Sequence, residues 1–243
     1  MKAMIFAAGL GTRLKPITDT MPKALVPVNG QPLLHHVICK LRDAGYDDLV
    51  VNVHHFPEQI RQYLQEHDFG VRISISDESD ALLETGGGIA HARELILPLD
   101  EPFLVHNVDI LSNLDLAWFR AQMRPGALAT LLVSERDTRR YLLFDDDMRL
   151  VGWTDISTGQ VRSPYPDLDA SACRRYAFSG IHNISPAIFD VFDSLAVPAR
   201  FPVIDFYLDA CARWPIYGAL APDLKLVDVG KLDTLAHIPS WVL

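Results

Sequence analysis

The residues best suited to chemistry lie near the amino terminus. Gly9 and Gly11 interrupt an apolar run, and Arg13, Lys15 and, after two prolines, Lys23 follow. Glycines let backbone N–H groups come close to anionic oxygens, and Arg and Lys supply charge, so this stretch is suited to holding phosphate. Two distant carboxylates complement it. Asp109 follows the apolar run 103–106, and Asp228 closes the run 226–227. Brought together, such a pair offers hard oxygen donors to Mg²⁺, an ion that keeps several waters and bridges phosphates. Taken singly, each aspartate could equally be a strand-end or helix-cap residue, and each cation a solvated loop residue.

Spacing excludes several other chemistries. Leu14 stands where a dinucleotide fingerprint needs its third glycine, and no Gly-Lys-Ser/Thr follows, so neither a dinucleotide loop nor a Walker loop fits. His54 and His55 are adjacent at a strand end and point in different directions, which suits a structural role better than a shared ion. Cys39, Cys173 and Cys211 show no C-x-x-C spacing and fit free thiols in a reducing compartment.

Elements must position these groups, and their periodicity is legible. The apolar runs 4–8, 49–53, 71–76 and 102–105 read as strands. Between them, 32–44 and 58–66 carry helical spacing, and 88–95 reads as a helix opening after the run Gly86-Gly87-Gly88. This rhythm predicts an α/β fold with a mostly parallel sheet and helices on both faces. Further on, 127–133 and 175–184 read as strands, and 141–144 with 150–153 as a hairpin. Residues 157–172 read as a loop or insertion, 186–192 and 203–212 as helices, 225–229 as a strand and 232–238 as a closing helix. One domain over 1–243 is expected, with a nucleotide half to about residue 109 and an acceptor half from 110 onward.

Composition narrows the partners. The 243 residues are 49% hydrophobic and 22% charged, with a formal net charge of -9. An acidic surface argues against a nucleic-acid partner, which needs a basic face. No apolar run approaches membrane-spanning length, and the apolar start reaches Gly9 too soon for a secretory leader, so a cytoplasmic enzyme is expected.

The longer opening string is more specific. Ala7-Ala8-Gly9-Leu10-Gly11-Thr12-Arg13-Leu14, then Pro16, Thr18, Pro22-Lys23, Leu25 and Pro27-Val28, resembles the opening motif of the sugar-1-phosphate nucleotidyltransferases. The resemblance continues through 83–88, Asn107-Val108-Asp109, Arg140-Tyr141, 178–181 and Asp228-Val229-Gly230. It implies a Rossmann-like nucleotide-diphospho-sugar transferase fold. It also implies the reaction of an NTP with a sugar 1-phosphate to give an NDP-sugar and pyrophosphate, with Mg²⁺.

By that resemblance, Ala8, Gly9, Gly11 and Thr12 lie along the nucleotide, Arg13 and Lys23 neutralise its phosphates, and Glu84, Thr85 and Gly87 approach the base. Missing side chains at the glycines would permit that approach. Asp109 and Asp228 would hold the metal, so Arg13, Lys23 and Asp109 form the implied catalytic set. Arg140, Tyr141, Gly180 and Asn183 are the candidates for the sugar phosphate. The chain departs from relatives in three places: Val108 stands where glycine is frequent, Lys231 where threonine is frequent, and no Glu-Lys-Pro lysine is present near 152–155.

The nucleotide could be UTP, GTP or dTTP, and the protein a monomer or small homo-oligomer. Compact relatives with the Glu-Thr-Gly-Gly-Gly form include uridylyltransferases for N-acetylmuramate 1-phosphate and guanylyltransferases for mannose or heptose 1-phosphate. Two alternatives share the pattern: a catalytically silent nucleotide-sugar-binding regulator, and a cytidylyltransferase for a phosphorylated alcohol such as phosphocholine.

Overall fold

The computed structural model describes residues 1–242. The first part of the chain forms β1 (Lys2–Phe6), the two-residue strands β2 (Pro27–Val28) and β3 (Gln31–Pro32), α1 (Leu33–Asp43), β4 (Asp48–Val53), α2 (Pro57–Glu66) and β5 (Arg72–Asp77). Then come α3 (Glu84–His91), α4 (Arg93–Ile96), β6 (Phe103–Asn107), β7 (Ile110–Ser112), α5 (Leu116–Ala121) and β8 (Ala129–Ser134). The remainder forms β9 (Arg140–Phe144), β10 (Leu150–Asp155), β11 (Gln160–Arg162), β12 (Arg174–Ile184), α6 (Ile188–Ser194), α7 (Val203–Ala210), β13 (Ile216–Leu220), β14 (Leu226–Asp228) and α8 (Leu232–Ala236).

β1 and β4 are apolar along nearly their whole length because both of their faces are covered. Successive side chains sort to the two faces. Ala3 and Ile5 join a core with α1, α2 and α5, whereas Met4 joins a second core with α3, α4, α6 and α7. β5, β4, β1 and β6 are parallel neighbours, β12 lies antiparallel between β6 and β8, and β13 pairs parallel with β8. In that row only β12 runs against the rest. The amino-terminal end of β12 pairs instead with β9 and continues into the antiparallel set β9–β10–β11. This is the mostly parallel α/β sheet with helices on both faces that the sequence predicts.

Three departures matter for the site. Helix α3 opens at Glu84, so Gly86, Gly87 and Gly88 lie inside the helix rather than ahead of it. Residues 160–162 of the expected loop form β11 against β10. The short elements β7, α5 and β13 escape periodicity. α5 has six residues and starts from Asp115, whose carboxylate accepts from the amides of Ala117 at 2.8 Å and Trp118 at 3.0 Å.

Candidate active site

The parallel strands end in a row. Phe6 is in register with Asn52 on one side and Asn107 on the other. Ligands in open α/β sheets sit beyond these carboxyl ends, and here a cavity of ≈ 310 Å³ opens there. Ala7, Ala8, Gly9, Lys23, Asn107 and Asp109 line one part of it, and Asn52, Glu78, Leu82, Glu84 and Thr85 the other.

The loop leaving β1 is built to stay open. Gly11 sits at φ +62, and a Cβ there would meet the Thr18 methyl at 2.8 Å. Thr18 Oγ1 donates to the Gly11 carbonyl at 2.8 Å, which ties the loop down from below. Leu14 is fully buried and anchors the turn after Thr12 and Arg13. Gly9 has open space where a side chain would stand. Among the described residues, no acceptor takes the amides of Gly9, Leu10 or Gly11, so they can serve anionic oxygens. Those of Ala7 and Ala8 are both taken by Asn52 Oδ1, at 2.7 and 3.2 Å.

The two aspartates are brought together by backbone pairing. Asp228 on β14 is in register with Ile110 on β7, and the Val229 amide donates to the Asp109 carbonyl at 2.8 Å. Lys23, 8% exposed, forms an ion pair with Asp109 Oδ2. Asp228 Oδ1 is buried and has no hydrogen-bond partner among the described residues. A buried carboxylate oxygen without a partner is costly unless a donor or cation meets it. Two carboxylates carried by neighbouring, backbone-paired segments, one with an unclaimed oxygen, supply hard donors of the kind Mg²⁺ takes. Among the described residues no cluster of three His, Cys, Asp or Glu side chains could hold a metal, so the remaining ligands would be waters and phosphate oxygens. Gly230 packs between the groups: a Cβ there would stand 2.6 Å from Asp228 Oδ1 and 2.7 Å from Arg13 Nη2. Arg13 and Asp228 thus face one spot.

The other expected site residues fall out differently. Glu84 and Thr85 reach the cavity wall. Glu84 Oε1 also accepts from Arg200 Nε and Nη2, at 3.1 and 2.9 Å, and Thr85 Oγ1 accepts from the Val203 amide at 2.9 Å. The space left by the missing side chains of Gly86 and Gly87 is filled by Phe201 and Ala199, and both glycine amides donate to the Phe201 carbonyl at 2.9 and 3.2 Å. Those glycines admit the segment 199–201 of the same chain, so the space beside Gly87 is taken by Ala199.

Gly180, at φ +73, packs against Asn107, where a Cβ would come within 2.7 Å of Nδ2. Tyr141 receives the Thr138 amide at 3.1 Å. Arg140 is 65% exposed and pairs with Asp155 at 3.5 Å. Asn183 is buried, and its amide donates to the Phe119 carbonyl at 3.0 Å, so the structure sets it in the core away from the cavity lining. Arg136, rather than Arg140, reaches Asp228: it lies 3.9 Å from Asp228 Oδ2 and is steadied by the Phe178 carbonyl at 3.3 Å. In the sequence it is one of three arginines in 136–140, and its position in the loop after β8 is what distinguishes it.

Beneath the site lie two buried histidines. His106 Nδ1 bonds the Asn107 carbonyl at 2.8 Å, and burial pushes its pKa down to about 4. His182 Nδ1 bonds the Tyr207 hydroxyl at 2.7 Å, and burial pushes it down to about 3. Both rings are neutral at pH 7. His54 and His55 bond the carbonyls of Glu78 and Thr18, at 2.6 and 3.2 Å, consistent with a structural role.

Residues 2–144 match the family model described as nucleotidyl transferase. The chain is 35% identical to an N-acetylmuramate alpha-1-phosphate uridylyltransferase of Neisseria meningitidis over 205 residues, 84% of each chain. It is 37% identical to a UTP–glucose-1-phosphate uridylyltransferase of Synechocystis, but over 54% of this chain and 37% of that one. Among solved structures, HddC from Yersinia pseudotuberculosis superposes with a TM-score of 0.75 at 21% identity, covering 97% of this chain and 96% of that one. No helix among the described residues is long and apolar enough to cross a membrane.

Proposed function

The chain belongs to the nucleotidyl transferase family, and on that premise we propose that it transfers a uridylyl group from UTP to N-acetylmuramate 1-phosphate with Mg²⁺. The observation that carries the reaction class is the pairing of β7 with β14, which sets Asp228 beside Asp109 and next to the Arg13 guanidinium. The choice of substrates rests on the relative from Neisseria, because that likeness runs over 84% of both chains.

A phosphate oxygen of the sugar 1-phosphate attacks the α-phosphorus of the nucleotide. The bond from that phosphorus to the bridging oxygen of the β-phosphate breaks, and pyrophosphate leaves with the electron pair. The acceptor is ionised at neutral pH, so no side-chain nucleophile and no proton transfer are needed. What the site must do is align the two anions and neutralise charge. The free amides of 9–11 cradle the nucleotide phosphates. Arg13 takes the β- and γ-phosphates and the charge that develops on the leaving group. Lys23 lies at the α-phosphate and holds Asp109 in place. Arg136 meets the acceptor phosphate, in place of the absent Glu-Lys-Pro lysine. Asp109 and Asp228 would hold Mg²⁺, which supplies Lewis-acid neutralisation of the phosphate oxygens.

The test is a substrate panel. UTP, GTP, dTTP and CTP are each offered with N-acetylmuramate, glucose and mannose 1-phosphates and with phosphocholine, and pyrophosphate and product mass are followed. The expected productive pair is UTP with N-acetylmuramate 1-phosphate. No pyrophosphate from that pair would refute the substrate reading, and a productive CTP–phosphocholine pair would replace it.

A further inference from the structure

Asn52 and Glu78 form a polar pair that sequence reasoning passed over. Each is 3% exposed, at the floor of the cavity. Asn52 Oδ1 accepts from two successive amides, Ala7 and Ala8, where the phosphate loop leaves β1. Its Nδ2 donates to Glu78 Oε1 at 2.8 Å, and Glu78 Oε2 accepts from the Leu83 amide at 3.4 Å, at the entry to α3. The backbone of Glu78 is fixed as well: its amide donates to the Val53 carbonyl at 2.8 Å, and its carbonyl meets His54 Nδ1 at 2.6 Å. Helix α3 leaves room for the pair only because residue 88 is glycine. A Cβ there would stand 2.9 Å from Glu78 Oε1 and 3.2 Å from Asn52 Nδ2.

The chain of bonds therefore runs from the phosphate loop through two side chains to the helix on the opposite wall of the cavity. A surface carboxylate would serve poorly, because water would compete for its oxygens. Burial strengthens such bonds and makes breaking one expensive. The Glu78 carboxyl sits in surroundings whose burial raises its pKa, a cost that a merely decorative acid would not carry.

Resting on the nucleotidyl-transfer reading above, we propose that Asn52 and Glu78 are a positioning pair. Their bonds hold the Ala7–Ala8 turn so that the free amides of 9–11 stay aimed at the nucleotide's phosphates, and they tie that aim to the wall formed by the start of α3.

The arrangement makes a polarity-swap test possible. Asn52→Asp keeps the acceptor for both loop amides but sets two carboxylates against each other. Glu78→Gln keeps an acceptor for Asn52 but turns its amide group against the Leu83 amide. The double variant restores every bond with the charge moved across. The new carboxylate at position 52 accepts from the loop amides and from the new carboxamide at position 78, whose oxygen accepts from the Leu83 amide. Calorimetric titration with UTP, GTP and dTTP in the presence of Mg²⁺ reads the loop directly, and thermal melting reads the fold.

Each single variant is expected to weaken the best nucleotide at least tenfold at a temperature well below its melting point. The double variant is expected to return within threefold of the parent. Folded single variants with parent affinity, whatever their melting points, would reduce the pair to a structural role and overturn the proposal. Should a single variant fail to fold, the folded double variant decides: parent-like affinity supports the pair, and a tenfold loss overturns it. A parent chain that binds none of the three nucleotides would instead defeat the function proposed above and the pair's role with it.

Discussion

Gly230→Ala tests the site with the smallest possible change. The added methyl carbon would stand 2.6 Å from Asp228 Oδ1 and 2.7 Å from Arg13 Nη2, where ordinary contact begins near 3.4 Å. Both groups must retreat by roughly 0.7 Å, and a misplacement of about 1 Å at a reacting centre costs about 100-fold in rate. A loss of about 30- to 100-fold in kcat/KM is expected, or roughly 2–3 kcal/mol of transition-state stabilisation. Stability should barely change. Gly230 is outside the left-handed region, the atoms that move are ends of side chains, and replacing glycine lowers the entropy of the unfolded chain by about 0.4–1 kcal/mol. Steady-state pyrophosphate release gives the rate and a thermal melt gives the stability. A variant that melts like the parent and keeps kcat/KM within threefold would refute the claim that Arg13 and Asp228 act at one point.

Three further outcomes follow from the geometry. Arg136→Ala should raise KM for the sugar phosphate at least tenfold, whereas Arg140→Ala should change it less than threefold, because Arg140 is paired with Asp155; equal effects would show that the acceptor phosphate lies elsewhere. Asn183→Ala should lower stability by about 0.5–1.5 kcal/mol by removing one of the two bonds to the Phe119 carbonyl, which keeps the Gln122 amide at 3.1 Å, and should leave both KM values alone; a KM effect without destabilisation would place Asn183 at the sugar. Melting temperature should fall as pH drops from 6.5. His106 and His182 have folded pKa values depressed to about 4 and about 3, so their contribution is complete above the unfolded value of 6.5 and is lost on acidification, at about 1.4 kcal/mol per pH unit for each. Glu78, raised by burial, works in the opposite sense, but as one group against two. A flat profile between pH 7 and 5 would mean that these rings are not held neutral.

The opening loop was legible as a candidate phosphate site because phosphate chemistry favours these residue types: glycines at 9 and 11 and cations at 13 and 23 have few other joint uses. The parallel core was legible because strands covered on both faces are continuously apolar, as in β1 and β4. What escaped depends on partners far along the chain. Gly86 and Gly87 offer space in either setting, and nothing local says that Phe201 and Ala199 occupy it. A run of arginines carries no geometry, so Arg136 and Arg140 could not be told apart until β8 and β9 placed one of them near Asp228. Asn52 lies near the end of a strand and Glu78 sits in an acidic turn, both ordinary surface patterns. Only the bonds to Ala7, Ala8 and Leu83 reveal that they are buried together. The register of β7 on β14 is three residues long, too short for periodicity to announce, yet it unites the two aspartates.

The most direct test of one transfer site built from both halves of the chain is Mg²⁺-dependent pyrophosphate release by Asp109→Asn and Asp228→Asn. Each substitution preserves shape and removes a charge. Each variant is expected to lose at least a thousandfold in kcat, about 4 kcal/mol, while melting within a few degrees of the parent. Turnover within tenfold of the parent in either variant would contradict the shared site.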